Sequence, residues 1–171
     1  MTTTQLILGG ARSGKSQRAL ALAEAAGCAR RIFLATAEAF DDEMAERIAR
    51  HRADRSADWE TMETPLNLAE TISNNAHRDV VCLVDCLTLW LSNLMHGERN
   101  IETESRKLCD GLQNTDGHVI LVSNELGLGL VPETPLGRRF RDAQGRLNQN
   151  VAAVCDRVEF IAAGLPIVLK D

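Results

Sequence analysis

The run Gly9-Gly10-Ala11-Arg12-Ser13-Gly14-Lys15-Ser16 combines the groups needed to hold a chain of phosphates. The glycines let successive backbone N–H groups turn toward a phosphate. Lys15 supplies positive charge for the β- and γ-phosphates, and the Ser16 hydroxyl can ligate magnesium. The run follows the apolar stretch Gln5-Leu6-Ile7-Leu8 and opens the alanine-rich stretch Gln17 to Ala26. Strand, loop and helix in that order are the setting of a P-loop, and the helix N-terminus adds its partial positive charge. A glycine turn with an exposed lysine is the plainer alternative, and it leaves these flanks unexplained.

A magnesium–phosphate site also needs an acid at the end of a neighbouring strand. Val80-Val81-Cys82-Leu83-Val84-Asp85 offers one. Asp85 is the candidate to organise the metal, and it is equally placed to cap a helix over Cys86-Leu87-Thr88-Leu89-Trp90. Ala35, Thr36 and Ala37 follow a second apolar run, where backbone and the Thr36 hydroxyl could meet a base or ribose or form an ordinary loop. Between Phe40 and Arg55 acids crowd the start and bases the end, as a helix dipole favours. Met44, Ile48 and His51 share one face there. His51 is either a helix-terminal histidine in a solvated basic run or a neutral imidazole nucleophile in an anion-binding patch. The segment Val122-Ser123-Asn124-Glu125-Leu126-Gly127-Leu128-Gly129-Leu130-Val131-Pro132-Glu133 leaves another buried strand as a shaped loop or a long connection.

These groups require a scaffold that brings strand ends together. Strands are predicted at Leu6–Leu8, Ile32–Ala35, Val80–Val84, Val119–Val122, Val158–Ala162 and Ile167–Leu169, with helix-period stretches between them. The unbroken apolar runs at 80–84 and 119–122 mark strands buried on both faces. The clearest helix runs from Pro135 to Ala153, where Leu136, Phe140, Ala143, Leu147, Val151 and Val154 step along one face. Thr64-Pro65 reads as the N-cap and first residue of a short helix through Ile72. The alternation implies one α/β domain over residues 1–171, a doubly wound, mostly parallel sheet with ligand at the carboxyl ends of the strands.

Composition narrows the chemistry. A net charge of −5 and 4% aromatic residues with no tyrosine disfavour nucleic acid and anionic membranes as partners. No apolar run approaches the ~20 residues of a membrane helix, so membrane insertion is not expected. The opening Met1-Thr2-Thr3-Thr4 runs at once into strand-like sequence, so no signal peptide is expected. The five cysteines are scattered without a C-x-x-C pair, which suits reduced core residues in a cytoplasmic protein. His77, His96 and His118 adjoin turn-like residues and read as surface histidines.

Taken together, the P-loop Gly9–Ser16, the Asp41–Met44 stretch with Arg47, Ile48 and His51, Val122–Glu125 with Gly127, Gly129 and Val131–Glu133, Phe140–Asp142 and Gly145–Gln149 resemble one family, in the same order along nearly the whole chain. It is the bifunctional adenosylcobinamide kinase/adenosylcobinamide-phosphate guanylyltransferase family of cobalamin synthesis. The resemblance implies a P-loop NTPase (RecA-like) fold and a homotrimer. It implies phosphorylation of the aminopropanol hydroxyl of adenosylcobinamide with ATP or GTP and Mg2+. GMP then passes from GTP to adenosylcobinamide phosphate through a guanylyl-histidine. By position it makes His51 the GMP acceptor and Lys15 a catalytic residue. It assigns nucleotide contacts to Gly9, Gly10, Ala11, Arg12, Ser13, Gly14, Lys15, Ser16, Ala35, Thr36, Ala37, Arg55, Glu63 and Asp85, and metal binding to Ser16 and Asp85. Glu63 would accept hydrogen bonds from guanine N1 and N2. Asp85 stands where some relatives carry Glu, and Arg50-His51 where some carry two histidines. Asn124 and Glu125 receive no role.

Two other readings remain beside it. A single-function P-loop kinase for another metabolite would leave His51 structural. A nucleotide-sensing switch would use the loop Asn124–Glu133 and modify no small molecule; the absence of an Asn-Lys-x-Asp motif argues against it.

Overall fold

The described residues fold around a seven-stranded sheet in the order β3-β2-β4-β5-β1-β6-β7. The computed structural model describes residues 3–37 and 58–171. Along these, β1 is Thr4–Gly9, α1 Lys15–Ala25, β2 Arg30–Ala35, β3 Trp59–Glu63, α2 Leu68–Asn75 and β4 Val80–Asp85. They are followed by α3 Leu87–His96, α4 Ile101–Gln113, β5 His118–Asn124, α5 Pro135–Val154, β6 Arg157–Ala162 and β7 Leu165–Lys170. Neighbouring strands run parallel except β7, which returns antiparallel on β6.

Successive side chains of a strand point to opposite faces, and both faces of this sheet are covered. Leu6, Leu8, Ile32, Leu34, Cys82, Val84, Val119 and Leu121 pack on one side with Leu68, Ile72, Trp90, Leu94, Leu108 and Leu147 from α2 to α5. Ile7, Phe33, Val81, Leu83, Ile120 and Val122 pack on the other beneath Ala19 and Ala23 of α1. Burial on both faces is why the central strands read as unbroken apolar runs.

The expected α/β architecture is present, with differences at its edges. β3 was not predicted, because only Trp59 of its five residues is buried, Met62 is half-buried and Glu60, Thr61 and Glu63 are exposed. The short helix begins at Leu68 with Asn67 as its N-cap, not at Thr64. Thr64 instead extends the sheet, its N–H donating to the Ala35 carbonyl at 2.7 Å, with its side chain buried. Leu136 is 61% exposed, so the apolar stripe of α5 starts a turn later than its spacing suggests. α5 itself begins as read, with Pro135 at the start and Thr134 accepting from the Gly137 N–H at 3.1 Å. β7 is a strand, but all of it is exposed. The five cysteines are free thiols, all buried except the half-buried Cys109. His77 and His96 are exposed and His118 is partly covered.

Candidate active site

The strands end together at one edge of the sheet, and the chemistry-bearing residues lie along it. Glu63 of β3 pairs with Ala35 of β2, Ala35 with Asp85 of β4, and Asp85 with Val122 of β5. Two residues further on, Asn124 of β5 pairs with Gly9 of β1, where the phosphate loop starts. Parallel pairing makes this row unavoidable once the register is set, since each of the strands β1 to β6 then delivers its carboxyl end to the same side.

The loop Gly10–Gly14 joins β1 to the N-terminus of α1. Gly14 has φ 95°, and a Cβ there would lie 3.2 Å from the Cα of Gly164, so both conformation and space demand glycine. Arg12 also takes a positive φ, 56°. The tip of the β6–β7 hairpin rests on the loop, the Gly164 N–H donating to the Ser13 carbonyl at 2.8 Å. Lys15 Nζ donates to the Gly10 carbonyl at 3.1 Å, which holds its charge over the loop. Ser16 stands in the first turn of α1. That helix start has no side-chain cap, so its N–H groups are of the kind that bind anions.

Three supports of this edge were not read from the sequence. Glu159, with no exposed surface, binds Arg18 of α1 through both oxygens, at 2.8 and 2.9 Å, and takes a third hydrogen bond from Arg157 at 3.1 Å. The Arg18 hydrogen bonds hold the Glu159 carboxyl below its ordinary range and raise Arg18 in turn. This pair fixes the P-loop helix to β6. A lone acid inside the apolar run Val158–Ile161 was the available signal. The second support is a buried cluster of Ser123, Gln144 and Asn148, linked at 2.7 to 3.0 Å. From it Asn148 also donates to the Asn124 carbonyl at 3.0 Å. The third is the Glu125 carboxylate, which accepts from the Gly127 and Leu128 N–H groups at 2.6 and 3.0 Å and shapes the loop after β5.

Thr36 is fully buried. Its hydroxyl donates to the Cys86 carbonyl at 2.7 Å and accepts from the Cys86 N–H at 2.8 Å. The segment Ala35–Ala37 therefore turns the threonine side chain inward, against the residue that follows Asp85. Asp85 is not the cap of α3; Cys86 occupies that position without a side-chain bond. Burial pushes the Cys86 thiol up to about 11, with the charge of Asp85 adding to it, so this cysteine is neutral at physiological pH.

Among the described residues no three His, Cys, Asp or Glu side chains stand together as a metal cage. The hydroxyl of Ser16 and the carboxylate of Asp85 are hard oxygen donors, Ser16 in the first turn after the P-loop and Asp85 at the end of β4. They fit a magnesium ion held jointly with substrate phosphates, the usual arrangement for that cation. His51 and Arg55, with the helix expected between Phe40 and Arg55, lie outside the described residues.

Comparison with known proteins agrees with this geometry. Residues 5–169 match the family model described as cobinamide kinase / cobinamide phosphate guanyltransferase. The chain is 50% identical over 167 residues to the bifunctional adenosylcobalamin biosynthesis protein CobP of Pseudomonas aeruginosa, covering 96% of each. It is 36% identical over 180 residues to the bifunctional adenosylcobalamin biosynthesis protein CobU of Escherichia coli, covering 96% of this chain and 98% of that one. In fold alone it is similar to the flagellar accessory protein FlaH of Methanocaldococcus jannaschii (TM-score 0.54, 12% identity, 98% of this chain and 78% of that one). It is likewise similar to the RadB recombinase (TM-score 0.51, 12% identity, 92% and 73%). The fold is thus that of the RecA-like P-loop NTPases, and the chain belongs to the cobinamide kinase / cobinamide phosphate guanyltransferase family.

Proposed function

We propose that this enzyme phosphorylates the aminopropanol hydroxyl of adenosylcobinamide and then converts the phosphate to adenosylcobinamide-GDP with GTP. The observation that carries the reading is the single edge on which the P-loop, Asp85 and Glu63 are brought into register, within a chain of this family.

In the kinase step the substrate hydroxyl attacks the γ-phosphorus of ATP or GTP, and the nucleoside diphosphate leaves. Phosphoryl transfer of this type depends on positioning and charge neutralisation. The backbone N–H groups of Gly10–Gly14 and the Lys15 ammonium supply both. Bound magnesium would add charge neutralisation at the phosphates, held by Ser16 and Asp85. In the second reaction the His51 imidazole attacks the α-phosphorus of GTP and pyrophosphate leaves. A phosphate oxygen of adenosylcobinamide phosphate then takes the GMP and frees the histidine. Covalent catalysis divides one difficult transfer into two displacements. Glu63 selects guanine by accepting from N1–H and N2–H, a pattern adenine lacks. Ala35, the backbone of Thr36, Ala37 and Arg55 complete the nucleotide site, and the protein works as a cytoplasmic homotrimer.

Product analysis tests the pair of reactions. With adenosylcobinamide, ATP, GTP and Mg2+, mass spectrometry should find adenosylcobinamide-GDP and pyrophosphate. His51→Ala should stop at adenosylcobinamide phosphate, with GMP transfer down at least ~10³-fold. A wild-type enzyme that also stops at the phosphate would refute the guanylyltransferase half.

A further inference from the structure

Thr36 makes more contacts around Asp85 than its place in a loop requires. Its N–H donates to the Asp85 carbonyl at 3.4 Å. Its hydroxyl closes a two-way pair with the backbone of Cys86, at 2.7 and 2.8 Å. Its carbonyl accepts from Asn93 Nδ2 at 2.8 Å, and Asn93 also donates to the Pro65 carbonyl at 3.1 Å. The Cys86 carbonyl that takes the Thr36 proton also accepts the first helical bond of α3, from the Trp90 N–H at 3.2 Å. Asp85 is therefore held from both sides. Its own strand position is fixed by Ala35 and Val122, and the residue after it is pinned by one buried hydroxyl.

We infer that Thr36 is a positioning residue for magnesium, acting through Asp85 and without touching nucleotide through its side chain. The inference rests on the reading of Asp85 as the acid that orders the metal. The physical reason is rigidity. A carboxylate at the end of a strand reaches a cation correctly only if the turn beyond it cannot relax. Valine at position 36 has the shape of threonine but leaves the Cys86 N–H without its partner in a site 7% exposed. An unsatisfied buried donor pulls the local backbone toward another partner, and Asp85 moves with it. Groups that orient metal ligands typically change metal affinity 10- to 100-fold when removed.

The test is Mn2+ binding, read by electron paramagnetic resonance, to the protein saturated with α,β-methylene GTP, which cannot release GMP. Thr36→Val should weaken Mn2+ by about 10-fold, and Thr36→Ser, which keeps the hydroxyl, should stay within about threefold of wild type. Thr36→Ala gives the same direction should the valine variant fail to fold. Asp85→Asn is the control on the underlying reading and should weaken Mn2+ at least as much as Thr36→Val. Wild-type Mn2+ affinity in Thr36→Val, with or without a lower melting temperature, would reduce Thr36 to a fold element and overturn the inference. Unchanged affinity in Asp85→Asn would remove the metal role of Asp85 itself, which is a separate failure.

Discussion

Glu159 has no exposed surface, yet it sits in the middle of a strand. Its two arginines make that possible, since a buried carboxylate is stable only when paired and hydrogen-bonded. Its folded-state pKa is depressed by Arg18, so the pair stabilises the fold fully above the ordinary carboxylate pKa of about 4.3. That contribution is lost as pH falls through the lower folded value. Glu159→Gln should cost about 1–2 kcal/mol near pH 6, a modest figure because Arg18 and Arg157 remain 34% and 33% exposed. The gap between variant and wild type should narrow as pH falls below about 4, and urea midpoints at pH 6 and at acid pH measure it. An unchanged gap would mean that Glu159 is held by packing alone. The thiols make a second residue-scale prediction. Burial pushes Cys82 and Cys155 up to about 12 and Cys86 to about 11, and it also raises the half-buried Cys109. A thiol reagent at pH 8 should therefore reach Cys109 first and the buried thiols only on unfolding. Rapid reaction at Cys86 in the native protein would contradict the burial of that site.

At the scale of elements, the tip of the β6–β7 hairpin meets the P-loop through the hydrogen bond from the Gly164 N–H to the Ser13 carbonyl and through the close packing of Gly164 on Gly14. Gly164 has φ 79°, and a Cβ there meets nothing within 4 Å, so Gly164→Ala carries backbone strain without a clash. It should cost about 1–2 kcal/mol and weaken GTP binding as the loop loses its rest. Gly14→Ala adds strain at φ 95° and a close approach to Gly164, so it should bind GTP far more weakly than Gly164→Ala. Calorimetric titration of both variants decides the order. The P-loop was legible in the sequence because its function dictates residue types at fixed spacing. The central strands were legible because burial on both faces leaves no alternation to misread. The hairpin contact was not, since nothing in Ala162–Leu165 announces which loop its tip will meet. β3 was missed for a related reason: an edge strand needs only Trp59 buried, and sequence pattern registers burial more readily than pairing. Thr64-Pro65 was misplaced because a threonine before proline suits a cap, while the Ala35 carbonyl claims the Thr64 N–H for the sheet. Thr36, Asn93 and the cluster Ser123–Gln144–Asn148 carry little local signal, because apart from the Gln144–Asn148 bond within one helix their bonds join positions 21 to 57 residues apart.

For the whole molecule, one edge of the sheet brings the P-loop, Asp85 and Glu63 into register, the groups that the two proposed reactions would share, and the family is one of kinase and guanyltransferase. Among the described residues no helix is long and apolar enough to cross a membrane. The homotrimer proposed above predicts a trimer's mass by sedimentation equilibrium, where the chain alone is 18.7 kDa. A monomer at micromolar concentration would remove that part of the proposal and leave the chemistry of the edge untouched. The central claim is the covalent step at His51, and it is tested most directly with GTP labelled at the α-phosphate. After incubation with Mg2+ and denaturing electrophoresis, wild-type protein should carry an acid-labile, alkali-stable label that Gly9–Ser16 and Asp85 help to form and His51→Ala abolishes. Wild-type protein that binds GTP and takes up no label, or a His51→Ala variant labelled as well as wild type, would contradict it.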